Sequence, residues 1–325
     1  MSKYIGRLLE VGIGKETVRG SGVAPAFWLP KVGFSFDDKV TIARSQAGIG
    51  KLADSDEAFV VNKFGEGEIE MNLGDQSVGY FLYSLLGSLS TSGPVDSAYT
   101  HAFSIAETNT HQSLAFVVKD PNTTEDYKLV MVNSFELEAT LEELVKITVG
   151  FLSKKGNAYS SVTPSYTNEN RFTKNHISFK VADTIGNLAA ATGISVKNLT
   201  LNITQNTVTD DALNTAEPED ILNQQLSVEG EVVLRYEDET WKNYFKTPTN
   251  RAMEIKFQNI DKTIGAGTRP SLTIQLPKVD FFEWEPDYTL DEIVLQTISF
   301  KGSYDIANSL NIISTCSLVN AKTSY

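Results

Sequence analysis

The chain has a single cysteine, Cys316, in 325 residues, so it can close no internal disulfide and gather no cluster of thiolate metal ligands. Cys316 sits in the apolar stretch LNIISTCSLV and reads as a buried small hydrophobe. Histidine is nearly as scarce. His101, His111 and His176 lie far apart, none has a second ligand at helical spacing, and each reads as a strand-end or surface residue. No cofactor or metal is expected. No apolar run approaches the ~20 residues of a membrane helix, and the opening MSKYIGRLLEVGIGKE has no apolar core of a secretory signal. The expectation is synthesis in a cytoplasm and no membrane partner. Cations are also in deficit, with 28 Lys and Arg against 41 Asp and Glu, a net charge of −13. Residues 1–156 carry 14 basic and 20 acidic groups and residues 157–325 carry 14 and 21, so neither half is a basic clamp for nucleic acid.

Motifs of catalysis are missing as well. GIGK occurs at 12–15 and 48–51, but a phosphate loop needs a glycine five residues before its GK and a Ser or Thr after the lysine. Glu16 and Leu52 stand there instead, so these read as turn glycines. There is no GxSxG elbow, and no Ser, His and Asp arrangement can be proposed from their order. Glu66, Glu68 and Glu70 alternate along one strand, opposite Ile69 and Met71. Acid–base chemistry wants two carboxylates in different environments, and three on one face read as a solvated surface. If the chain builds a tube, that face lines a wet bore. The expectation is a protein that is not an enzyme.

What the sequence does contain is a repeat. TLEELVKITVGF at 140–151 returns as TLDEIVLQTISF at 289–300, an offset of 149. A second offset, 163, carries Glu66, Gly67 and Glu68 onto Glu229, Gly230 and Glu231, and Asp75 onto Asp238. It also carries the alternating Ile69, Met71 and Leu73 onto Val232, Leu234 and Tyr236. Asp75 and Asp238 each stand where a carboxylate caps a helix, ahead of Val78, Phe81 and Leu82 in one copy and Trp241, Tyr244 and Phe245 in the other. Gly87 offers the first helix its stop. In front, Val32, Phe34 and Phe36 resemble Leu199, Leu201 and Ile203. The offset shrinks between the blocks, and Ser88–Thr100, rich in Ser, Gly and Pro, is the expected insertion.

The fold class follows as mainly β (α+β): two tandem β-sandwich or open-barrel domains, each with one short flanking α-helix. Residues 1–156 form the first domain, 157–175 a polar linker or arm, and 176–325 the second domain with a C-terminal arm. A connector so long is expected to pack on a neighbouring chain. Unpaired sheet edges should invite neighbours too.

The stretch GIGKETVRGSGVAPAFWLPKVGFSFDDKV, the strand EGEIEMNL and the helix ending in YSLLG resemble the tail tube proteins of long-tailed, siphovirus-type bacteriophages. The resemblance implies a structural virion protein, made in the host bacterial cytoplasm, whose rings stack into the tail tube that delivers DNA. An acidic bore would let DNA slide without sticking. Rings of that family have sixfold character, and a duplicated chain implies a homotrimeric, pseudo-hexameric ring. The implied partners are other copies of the chain, a tape measure protein in the lumen, and terminator and distal tail proteins at the ends. The resemblance assigns ring stacking to the long loops Asp37–Asp56 and Gln205–Gln225. Asp37, Asp38, Lys39, Arg44 and Lys51 mark the first, and Asp210, Asp211, Glu219 and Asp220 the second. The readings left open beside it are a tandem β-sandwich module binding carbohydrate or a receptor, and a tail terminator-type ring. Exposed Trp28, Trp241 or Trp284 would favour the carbohydrate reading.

Overall fold

The computed structural model describes residues 3–247 and 249–325. Strands make up 51% of it and helix 8%. The first half runs through β1 (Glu10–Lys15), β2 (Phe27–Trp28), β3 (Lys31–Phe34), β4 (Asp37–Ser45), β5 (Glu57–Asn72), α1 (Val78–Leu86), β6 (Gly87–Val95), β7 (Ala98–Ile105), β8 (Leu114–Lys119), β9 (Thr124–Ala139) and β10 (Lys146–Lys154). After β11 (Asn157–Ala158), the second half runs through β12 (Ile177–Ala182), β13 (Val196–Thr204), β14 (Val208–Asp210), β15 (Asp220–Leu222), β16 (Ser227–Arg235), α2 (Thr240–Lys246), β17 (Arg251–Gln258), β18 (Ser271–Asp287), β19 (Leu295–Gly302) and β20 (Thr315–Asn320).

Each half repeats one antiparallel pattern. The first layer of the first half is β2–β1–β8–β9–β11, and that of the second is β12–β17–β18–β20. The second layers are β3/β4–β5–β10–β9 and β13–β16–β19–β18. The long strands β9 and β18 serve both layers. Each changes course at a bulge, which adds an unpaired residue and bends the strand. The bulged residues are Asn133 and Phe282, and they lie 149 apart, the same offset as the late repeat. The core runs continuously through both halves, with Phe36, Phe116 and Phe151 in edge-to-face contact in the first.

Register corrects the front match. Phe34 pairs with Ile69 and Leu199 pairs with Val232, so Phe34 corresponds to Leu199 and Phe36 to Leu201. The side-chain alternation is the same either way, which is why a slip of two residues is invisible in the pattern.

The two helices differ more than their spacing implies. α1 is buried on almost every side, with Tyr83 alone of its residues half-exposed, because sheet, β6–β7 hairpin and C-terminal segment surround it. Gly79 lets the Tyr325 ring lie against the helix, since a Cβ there would stand 2.1 Å from Cζ. α2 stays on the surface and packs Trp241 and Tyr244 on Phe281, leaving Phe245 exposed. Gly87 closes α1 with φ 85°, as its position suggests.

Capping divides the two copies. Asp238 Oδ1 accepts the Thr240 N–H at 2.8 Å, at the start of α2. Asp75 does not cap α1. It is buried and turned to Asn170, accepting its N–H at 2.9 Å and its Nδ2 at 2.8 Å. The N–H groups of Gln76 and Ser77 go instead to Glu169 Oε2, at 3.1 and 2.7 Å. Glu169 belongs to the connector, which therefore packs on its own first half: Tyr166 lies against Trp28, and Phe172 is fully buried.

Burial holds the Asp75 carboxyl up to about 6, against the opposing pull of its Asn170 hydrogen bonds. A carboxyl whose folded value is raised contributes stability that is full below its unfolded value, about 4, and lost as pH climbs through its folded one. Asp75→Asn should therefore gain Tm over the native chain between about pH 4.5 and about pH 8. A difference in melting temperature that stays constant across that range would count against it.

Candidate assembly surfaces

The second layers of the two halves are one sheet. Leu199–Thr204 of β13 pairs with Ser134–Ala139 of β9, so β5, β10, β9, β13, β16, β19 and β18 run side by side. One face of this sheet is core and the other is solvated. Glu66, Glu68 and Glu70 lie on the solvated face, opposite buried Ile69 and Met71. They have company. Glu136 and Glu138 on β9, Glu229 and Glu231 on β16, and Glu283 and Glu285 on β18 share that face by register.

The strands between them are nearly neutral there: Thr148 and Gly150 on β10, Thr200 and Asn202 on β13, Thr297 and Ser299 on β19. Acidic and neutral strands thus alternate across seven positions. Like charges directly opposite on paired strands are destabilising, and the spacer strands hold the carboxylates about 10 Å apart, near a Debye length in physiological salt. Lys146 and Lys301 temper the charge, and Lys301 bonds Glu229 at 2.6 Å. The sequence signal is a Glu-x-Glu step on every second strand, and only in the Glu66–Glu70 run are two such steps consecutive.

A second junction ties the halves in the other layer. The insertion expected at Ser88–Thr100 is the β6–β7 hairpin, and β7 pairs with the C-terminal β20 from Tyr99 to Phe103. His101 on β7 is fully buried. Its Nε2 faces the Asn320 Oδ1 at 3.1 Å and the Lys322 carbonyl at 2.9 Å, and burial depresses its pKa. His111 and His176 are buried too, so none of the three is on the surface, though His176 does stand at a strand end, directly before β12. His111 ties the carbonyls of Leu85 and Ala106, and His176 forms a capping box with Thr173 and meets Asp261 at 3.0 Å. Buried Cys316 has its thiol pushed up to about 12 by desolvation.

The long loops are two hairpins with different fates. The first, β4 with the start of β5, is tied at its base, where Asp38 accepts the Gly156 N–H and the Lys63 N–H donates to the Ala216 carbonyl, and projects beyond it: Asp37, Asp38, Lys39, Arg44 and Lys51 are exposed, as are Val40, Ile42, Phe59 and Val60. The second, β14–β15, folds back on the first half of its own chain. Arg19 Nε holds Asp220 Oδ1 at 2.8 Å, Lys155 holds Glu217 at 2.9 Å, and Ile221 is buried among Leu129, Met131 and Leu152. Asp210, Asp211 and Glu219 remain exposed, whereas Asp220 is turned inward.

The loop that carries Arg19 is built on Glu16, itself buried. Its carboxylate accepts from the N–H groups of Gly20 (2.6 Å), Gly22 (3.1 Å) and Leu129 (2.9 Å) and from Ser113 Oγ (2.6 Å). Gly20 and Gly22 have φ of 75° and 44°, which glycine tolerates without strain. The preceding Gly12 and Gly14 are strand residues of β1, not turn residues; a Cβ would strike Pro25 and Val23.

Among the described residues there is no group of three or more His, Cys, Asp or Glu placed to hold a metal, and no helix long and apolar enough to cross a membrane. The tryptophans form no exposed platform. Trp28 is buried, Trp241 packs on Phe281, and the Trp284 indole N–H donates to Gln296 at 2.9 Å. Gln296, the polar intrusion in an apolar strand, is thereby satisfied, its own amide donating to the Arg235 carbonyl at 2.9 Å.

No curated protein matches the chain. A family model described as phage tail tube protein matches residues 6–302, nearly the whole length and both repeats. Bacteriophage tail tube protein is thus the family to which this chain belongs, a structural, β-rich component of the virion tail.

Proposed function

We propose that three copies of the chain close into a ring of sixfold character, and that such rings stack into the tube through which DNA leaves the virion. One observation carries this reading: the β9–β13 pairing is a junction that can be repeated. By the same correspondence, the free edge of β18 beyond Phe282 would receive the free edge of β3 and β4 from the next chain. Phe282, Tyr288 and Val32, exposed at 51%, 61% and 57%, lie along those edges and would be covered. Unpaired edges template such addition, and a junction that joins unlike edges closes a ring when its rotation allows.

In this ring the acidic face, Glu66, Glu68 and Glu70 among it, lines the bore, where like charge keeps DNA from sticking. The exposed hairpin tips, Lys51 on one and Asp210, Asp211 and Glu219 on the other, meet across stacked rings and set their register. A tape measure protein fills the lumen during assembly, and terminator and distal tail proteins close the ends. Electron microscopy of the purified protein tests the reading. Hollow filaments with a one-ring repeat are expected, and a persistent monomer with enzymatic turnover would overturn it.

A further inference from the structure

The repeat places the projecting hairpin as well as the free edges. In the second copy, residues 207–224 fold onto four segments of the first half: the loop at Arg19, the loop at His111, the β9 bend at Leu129 and the β10 end at Lys155. Strand register carries these four segments onto the second half. They become the loop at Thr184–Gly186, the loop at Asn250, the β18 bend at Pro277–Lys278 and the segment at Asp305–Leu310. Those residues line an open groove of about 730 Å³. In the first half the corresponding place is filled by Ile221; in the second it is empty.

From this we infer that the hairpin of residues 37–62 docks in trans into that groove of the neighbouring chain in the ring. The inference rests on the ring reading and adds its partner surface. The hairpins are close in length, since beyond the equivalent pairs Thr41 with Asn62 and Asn206 with Gln225 they span residues 42–61 and 207–224, a difference of two residues. Both sides carry apolar groups that water would otherwise meet. Ile42 and Val60 share one face of the hairpin at 51% and 46% exposure, and Ile306 on the groove rim is 82% exposed. The contact is more polar than its counterpart within the chain. Leu129, Met131 and Leu152 correspond to Lys278, Asp280 and Lys301, and Ile221 corresponds to Ala58, flanked by Glu57 and opposite Arg44.

The test is cross-linking with cysteines at Ala58 and Lys278, the native Cys316 being buried and unreactive. Chains carrying Ala58→Cys and Lys278→Cys, treated with a short bismaleimide while assembled, should join into species of two and three chains and stop there. Each single variant should stay a monomer on a denaturing gel. A ladder running beyond three chains would put the hairpin between rings, and rings without cross-links would leave the groove empty; either overturns the docking while the tube stands. A native protein that forms no rings overturns both. Ile306→Glu, at an exposed position, should leave the melting temperature unchanged and weaken self-association about tenfold. Unchanged association would contradict the docking.

Discussion

Asp38→Pro is expected to leave a folded chain that forms no rings. The Ser35 N–H bonds the Glu68 carbonyl, so Ser35 and Asp37 turn their backbone groups toward β5 and Asp38 turns its own away. The Asp38 N–H meets nothing but the Asp37 carboxylate at 2.8 Å, and its side chain is exposed. Proline there removes a donor that the chain's own sheet does not use and adds a ring where the neighbour's β18 would approach. The internal losses are two exposed bonds, the one from the Asp38 N–H to the Asp37 carboxylate and the one from the Gly156 N–H to Asp38 Oδ1. A neighbour's carbonyl left unpaired costs about 1–3 kcal/mol at each junction, roughly five- to a hundredfold in association, and the three junctions of a ring compound it. Sedimentation should show monomers at concentrations where the native chain assembles, with an unchanged melting curve. Normal rings from Asp38→Pro would mean that this edge is not the closing one.

Glu16→Ala has the largest expected effect on the folded chain itself. The substitution strips four donors of their acceptor in one buried place, and charge-assisted bonds of this kind are each worth about 1.5–3 kcal/mol. Water reaching the vacated space offsets part of that, so the expected loss is about 4 kcal/mol. In urea the midpoint should fall without a change in slope. Damage extends to the junction, because the Glu16 loop carries Arg19, whose guanidinium holds Asp220 and the carbonyls of His111 and Ile221. Glu16→Gln keeps the shape but points an amide donor at N–H groups, and about half the loss should remain. A loss below about 1 kcal/mol would show that the carboxylate does not organise this loop.

Legibility in the sequence followed the range of each interaction. Alternation locates β5 from Ile69, Met71 and Leu73, because side-chain period is local. The 149 offset was readable for the same reason, and the paired bulges at Asn133 and Phe282 show that it reaches down to backbone detail. Pairings across long separations left no local trace. β9 with β13 and β7 with β20 are chosen by edge availability and register, which composition does not encode. Asp75 looks like the α1 cap in the sequence because Glu169, the actual acceptor, lies 92 residues from the Ser77 it serves. The burial of His101 has no local sign for a related reason: what buries it is Asn320, Lys322 and Tyr325, all from the far end of the chain. The acidic face was legible only in part, since the Glu-x-Glu steps become one surface when β13 joins the two sheets.

The duplication makes a claim about numbers that one image can decide. In averaged end-on views of assembled tubes, with chain count per ring set by mass, three chains should give six similar lobes and an alternation of two junction types around the ring. Six chains per ring, with the second half standing outside a wall built from the first, would contradict it.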